Sequence, residues 1–402
     1  MKHSRDVKIG LACAGGGIEG CIYEIGALCA LDEAIDGADV HRLDVYVGVS
    51  AGALVTACLA NGISVQTLSR AIISRAADPA LNIHPEVFFS PAFGEFARRL
   101  TKLPGAVARS LWDYVRNPFD LSPVGALAGL GSAVPVGLFD NEPIEQHLAG
   151  VFSTDARTNA FGELEATLRV VAVNVDTAEI ATFGDEATAH VPISKAVQAS
   201  TALPGLYVPV EIDGAFYVDG VARRTVHASV ALQQGVPLLF CINPLVPVHA
   251  GAESEVAEGL VPRGLPAVLS QSFRTLVYSR MRTGFRSYHH LYPDADTILI
   301  EPTPEDYRRI FTNLFSFSNR HAVCEHAYQT TRHYLRQRAD EMTPVLERHG
   351  LLLRREVLDD DERTLYGDLA SPSIAPLPSG VFDETRRVLD RLEDVLDHLN
   401  AA

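Results

Sequence analysis

The chain has 402 residues, 47% hydrophobic and 21% charged, a globular composition with enough length for one large domain or two ordinary ones. Its formal net charge of -16 argues against nucleic acid as a partner, because phosphate binding needs concentrated Lys and Arg. No stretch is long and apolar enough to span a bilayer, and the basic N-terminus runs into glycines without a cleavage site, so a cytoplasmic location is expected. The six cysteines show no CxxC pair and no metal-ligand spacing, so no metal is expected at them.

In chain order, Val7 to Ala14 reads as a buried strand. Ile22, Ile25 and Cys29 then recur at helical spacing, which predicts a helix over Gly20 to Ile35. Asp44 to Val49 is a second short apolar strand, and Ser50 to Ala60 a helix apolar on every side, closed by Asn61-Gly62. Such tight strand–helix alternation predicts a parallel sheet covered on both faces. Residues 64–137 turn rich in Pro, Phe and short amphipathic pieces, and read as a helical insertion over the sheet. Leu168 to Val175, Pro237 to Ile242 and Thr297 to Ile300 are further core strands, and Val191 to Ala202 and Ala322 to Arg338 further helices. The domain is expected to span 1–338, followed by a helical extension over 339–402 with a linker at 358–380. In that extension Val388, Leu392, Val395 and Leu399 share one stripe.

Two glycine motifs lie at the ends of the first two strands. Gly48-Val49-Ser50-Ala51-Gly52 has the G-x-S-x-G spacing of a sharp strand-to-helix turn that presents a serine hydroxyl at the N-terminus of a helix. The earlier run Gly15-Gly16-Gly17-Ile18-Glu19-Gly20 satisfies the dinucleotide spacing G-x-G-x-x-G. That reading requires an acidic residue at the end of the second strand, and Val49-Ser50 stand there instead. If the two strands are neighbours, the loop's N–H groups lie beside Ser50, where an oxyanion forms. Asp219, in an Asp-Gly turn after a short strand, is a carboxylate partner, with Asp176 as its rival. The late histidines His289, His290, His321, His326 and His333 have no distinctive setting, which disfavours an α/β-hydrolase triad.

Together these blocks resemble the patatin-like phospholipase family, marked by a G-G-G-x-[KR]-G loop, a G-x-S-x-G elbow and a late D-G-[GA] turn. Gly137-Leu-Phe-Asp-Asn141 and Ala199-Ser-Thr-Ala-Leu-Pro204 are similar to two further blocks of that family. The resemblance implies a three-layer α/β/α fold with a mostly parallel sheet, and hydrolysis of lipid acyl esters without cofactor. It implies Ser50 as nucleophile, Asp219 as general base, and Gly15, Gly16 and Gly17 as the oxyanion loop. The implied partner is a lipid substrate, with peripheral membrane contact. Two positions depart from the pattern: Glu19 stands where a Lys or Arg is usual, and Val221 follows the Asp-Gly pair. The alternatives are a silent lipid-binding scaffold or an acyltransferase with the same dyad. The arginines of Arg274 to Arg286 are read as a helix face able to touch lipid phosphate.

Overall fold

The computed structural model describes residues 7–74, 81–82, 85–116, 131–154, 156–248, 259–303 and 319–366. Eight strands make one sheet: β1 (Ile9–Cys13), β2 (Val45–Val49), β3 (Thr167–Asn174), β4 (Ile180–Phe183), β5 (Val210–Ile212), β6 (Ala215–Asp219), β7 (Leu238–Ile242) and β8 (Asp296–Ile300). Their order is β8-β7-β1-β2-β3-β6-β5, with β4 paired to β3. The block from β8 to β3 is parallel, while β4, β5 and β6 add antiparallel pairings. The parallel strands β1, β2 and β7 are buried at every position, as continuous apolar strands between two helical layers must be.

Alternation along β2 divides the layers. Gly48 faces α2 (Ala51–Ala60), whose Ala53 Cα would lie 2.4 Å from a Cβ at that glycine. On this face α1 (Gly17–Ala34) packs against α2, and α2 in turn meets a helix at Ile193–Thr201. Val45, Val47 and Val49 point the other way, into a core shared with a short helix at Ala228–Leu232 and a long one at Leu265–Leu291. The remaining long helices, in chain order, are α3 (Phe93–Arg116), α4 (Glu142–Phe152), α5 (Ile193–Thr201), α6 (Leu265–Leu291), α7 (Arg320–Gln337) and α8 (Ala339–Arg348). Of these, α7 closes over α1.

The three-layer α/β/α expectation holds, and β1 and β2 are neighbours, with Cys13 opposite Gly48. The first helix begins at Gly17 rather than Gly20. Gly20 N–H already donates to Gly16 O at 3.0 Å, so the glycine loop runs straight into the first helical turn. The short strands β4 and β5 and the helix α4 extend the expected set. Residues 339–365 remain in the first compact unit, Met1–Leu365. There Arg332 donates to the carbonyls of Val357, Asp360 and Arg363, and Leu352–Leu353 pairs with Ile35–Asp36. The second unit is Tyr366–Ala402, and the stripe Val388, Leu392, Val395 and Leu399 lies outside the described residues.

Candidate active site

Sheet register determines the site. Strand β4 occupies one edge of β3 over Val170–Val173, so β2 and β6 share the other edge. Strand β2 ends with Val49 opposite Val171, and β6 ends with Asp219 opposite Ala172. The two strands therefore meet end to end, which brings Ser50 against Asp219. The chain has no room for side chains at this meeting: a Cβ on Gly220 would fall 2.4 Å from Val171 O.

Ser50 sits at φ 54°, ψ −122°, a backbone region that costs a non-glycine residue roughly 1–3 kcal/mol. Its surroundings hold it there. Ser50 N–H donates to Ser200 Oγ at 2.8 Å, and Ser200 Oγ donates to Val171 O at 2.6 Å. Gly52 N–H donates to Ala14 O at 3.0 Å, and a Cβ on Gly52 would stand 2.5 Å from the Cys13 carbonyl. The start of α2 is thus pressed onto the end of β1, and only glycine fits between them.

Asp219 is 1% exposed, accepts from Val221 N–H at 2.9 Å, and accepts from the Ser50 hydroxyl. Burial pushes its pKa up to about 7, against the lowering pull of those two donors. Gly15 approaches Ser50 so closely that a Cβ there would lie 3.0 Å from Ser50 Cβ. Its own N–H donates to Thr225 O at 3.4 Å. Gly16 and Gly17 follow, and Gly17 takes a φ of 63° that suits glycine. The N-termini of α1 and α2 both begin here, so two helix dipoles favour negative charge at one place.

A cavity of about 700 Å³ opens over these groups. Gly16, Gly17, Ser50, Ala51, Asp219 and Arg274 line it, among mostly apolar side chains such as Ile22, Leu54, Leu206 and Phe273. No histidine lies among its described lining residues. His227 is buried beside the Asp-Gly turn with Nε2 3.2 Å from Gly220 O, and burial pulls its pKa down to about 4. Asp176, the rival carboxylate, is exposed in the turn after β3. One contributor, Ser200, has no role in the sequence reading. Ser200 lies within the Ala199–Pro204 block, which was noted only as a resemblance. Arg274 is in helical register with Val277 and Met281, a spacing that marks it as buried.

The fold and this pocket define an α/β/α protein with a strained serine elbow facing a buried carboxylate. A family model described as patatin-like phospholipase matches residues 11–232, and the chain belongs to that family. "Uncharacterized protein R571" of Acanthamoeba polyphaga mimivirus is 23% identical over 213 residues, covering 52% of this chain and 57% of that one. The chain thus spans somewhat over half the length of this relative. Among solved structures, VipD from Legionella pneumophila is 17% identical, with 82% of this chain and 67% of that chain covered and a TM-score of 0.37. A chain from the SpcU–ExoU complex of the Pseudomonas aeruginosa type III secretion system is 16% identical, with 72% and 53% covered and a TM-score of 0.27.

Proposed function

We propose that the protein is a serine acyl hydrolase acting on fatty-acyl esters of phospholipids, with Ser50 as nucleophile and Asp219 as general base. The observation that carries this reading is the Ser50 hydroxyl donating to a buried Asp219 inside an apolar cavity. Ser50 Oγ attacks the acyl carbonyl and passes its proton to Asp219. The tetrahedral oxyanion takes N–H bonds from Gly16 and Gly17, with Gly15 packed beneath the serine, and each donor contributes about 3 kcal/mol to the transition state. Collapse expels the alcohol, which leaves with the proton from Asp219. Water then repeats the sequence on the acyl-enzyme, with Asp219 taking its proton and Ser50 released.

An aspartate raised to about 7 suits this work better than an ordinary one, because a base is most effective with a pKa near the working pH. The apolar lining supports an acyl chain as the occupant. The described part of the insertion read over 64–137 is proposed to cover it, since Ile72 and Phe88 line the cavity. Peripheral contact with a lipid surface is supported by α3, where Phe93, Phe96, Leu100, Leu103 and Val107 form an exposed stripe at helical spacing. Ser50→Ala is expected to lower phospholipid turnover roughly a thousandfold or more while the protein melts as before. Wild-type turnover retained in that variant contradicts the proposal.

A further inference from the structure

His227 is 1% exposed and is not among the described residues that line the cavity. An imidazole taken out of water needs polar partners to offset the cost. Those of His227 belong to the loop that joins β6 to the short helix at Ala228–Leu232. Nε2 lies 3.2 Å from Gly220 O, and the ring also meets the Arg224 backbone. A carbonyl only accepts, so the bond to Gly220 needs the ring proton on Nε2. Burial, with the nearby cations of Arg224 and Arg223, keeps the ring neutral at physiological pH.

The loop that the ring closes touches both halves of the site. Gly220 O also accepts from Arg223 N–H at 3.1 Å, which completes a single tight turn capped by Asp219. Within that turn Val221 N–H donates to Asp219 Oδ1 at 2.9 Å. Further along, Thr225 O accepts from Gly15 N–H at 3.4 Å, and Val221 Cγ2 would lie 3.2 Å from a Cβ on Gly15. One end of the loop is anchored, because Val226, Ala228, Ala231 and Leu232 share a core with Val45, Val47 and Val49. The other end turns at Gly220, where a Cβ would strike Val171 O at 2.4 Å. No side chain fits there, so the turn has to be held through its backbone, and His227 holds it by the carbonyl.

We propose that His227 is a positioning residue that clamps the loop 219–227, and so keeps Asp219 and the glycine loop in register with Ser50. This rests on the acyl-hydrolase reading with Asp219 as base, and adds the group that aims the base. The clamp touches no substrate, so its effect belongs in kcat rather than KM. It also acts on the titration of Asp219. Val221 N–H favours the charged carboxylate, so a slack turn leaves Asp219 harder to ionise. A histidine that only filled space would alter stability and leave that titration in place.

The test follows hydrolysis of a short p-nitrophenyl acyl ester against pH. His227→Leu should lower kcat about ten- to a hundredfold with KM within about threefold of wild type. The acid limb of its kcat/KM profile should move up by about half to one pH unit. His227→Gln carries an N–H close to the Nε2 position, and should restore the limb and most of the rate. His227→Asn stops one bond short of Gly220 O, should behave like the leucine variant, and replaces it if that variant melts early. A folded Leu or Asn variant with the wild-type limb, or a Gln variant whose limb shifts like theirs, overturns the proposal. A wild-type protein that turns over no ester overturns the acyl-hydrolase reading, and this inference with it.

Discussion

At the scale of single residues, the proposed base Asp219 would couple stability to activity through one carboxyl group. Its folded pKa, about 7, lies above the ordinary aspartate range, so the native state holds a proton that the unfolded chain has released. The stability contributed by that proton is present below the ordinary range and is lost as pH rises to about 7. Fully lost, it amounts to about 4 kcal/mol. Asp219→Asn can accept from Val221 N–H and escapes this loss, so its Tm advantage over wild type should be larger at pH 8 than at pH 4. With Asp219 as the proposed base, the same titration should set the rate. kcat/KM should rise about tenfold per pH unit below about 7 and level off above it. A profile flat from pH 5 to 8 contradicts Asp219 as the base. Sequence alone offered weak grounds for choosing this residue. Asp36-Gly37, Asp213-Gly214 and Asp219-Gly220 are the same dipeptide, and what separates them is burial: the first two aspartates are exposed and the third is 1% exposed. That burial is produced by pairing with β3, a contact between residues far apart in the chain.

At the scale of elements, the site follows from two strands ending against each other on one edge of β3. The G-x-S-x-G spacing predicted the turn between β2 and α2, because tight strand-to-helix turns have strict local requirements. It carried no information about β6, whose direction depends on the hairpin with β5. The tightest joint is between α2 and β1. Gly52→Ala would place a methyl group 2.5 Å from the Cys13 carbonyl carbon and oxygen, both backbone atoms that cannot swing aside. Destabilisation of about 3 kcal/mol is expected, with loss of activity from the displaced Ser50, and chemical denaturation measures it. By contrast Gly62→Ala, which meets nothing within 4 Å but sits at φ 75°, should cost about 1 kcal/mol and leave turnover intact. Helix α6 shows the limit of reading by composition. Its arginines read together as one face able to touch lipid phosphate, yet helical period puts Arg274 on the buried stripe and the other three outside.

At the scale of the whole molecule, a net charge of -16 gives no general attraction to anionic lipid. The sequence of helix α3 runs against that average, with Arg98, Arg99, Lys102, Arg109 and Arg116 against Glu95 and Asp113, and the helix carries the exposed apolar stripe that starts at Phe93. Helix α3 begins next to the cavity wall: Ala92 N–H donates to Leu138 O, and the Tyr207 hydroxyl donates to Phe88 O. Phe93→Glu/Leu100→Glu should reduce co-sedimentation with vesicles containing phosphatidylglycerol, and leave hydrolysis of a short soluble ester within about twofold. Unchanged sedimentation argues against α3 as the contact. The overall layering was legible because buried parallel strands and an all-apolar helix leave plain periodic marks, whereas the short strands β4 and β5 leave almost none. The central claim is that Ser50 is a nucleophile activated by Asp219. Treating the protein with a fluorophosphonate and mapping the adduct by peptide mass spectrometry tests it most directly. One adduct on Ser50, formed far more slowly in Asp219→Asn, is the predicted result, and a folded wild type that acquires none contradicts it.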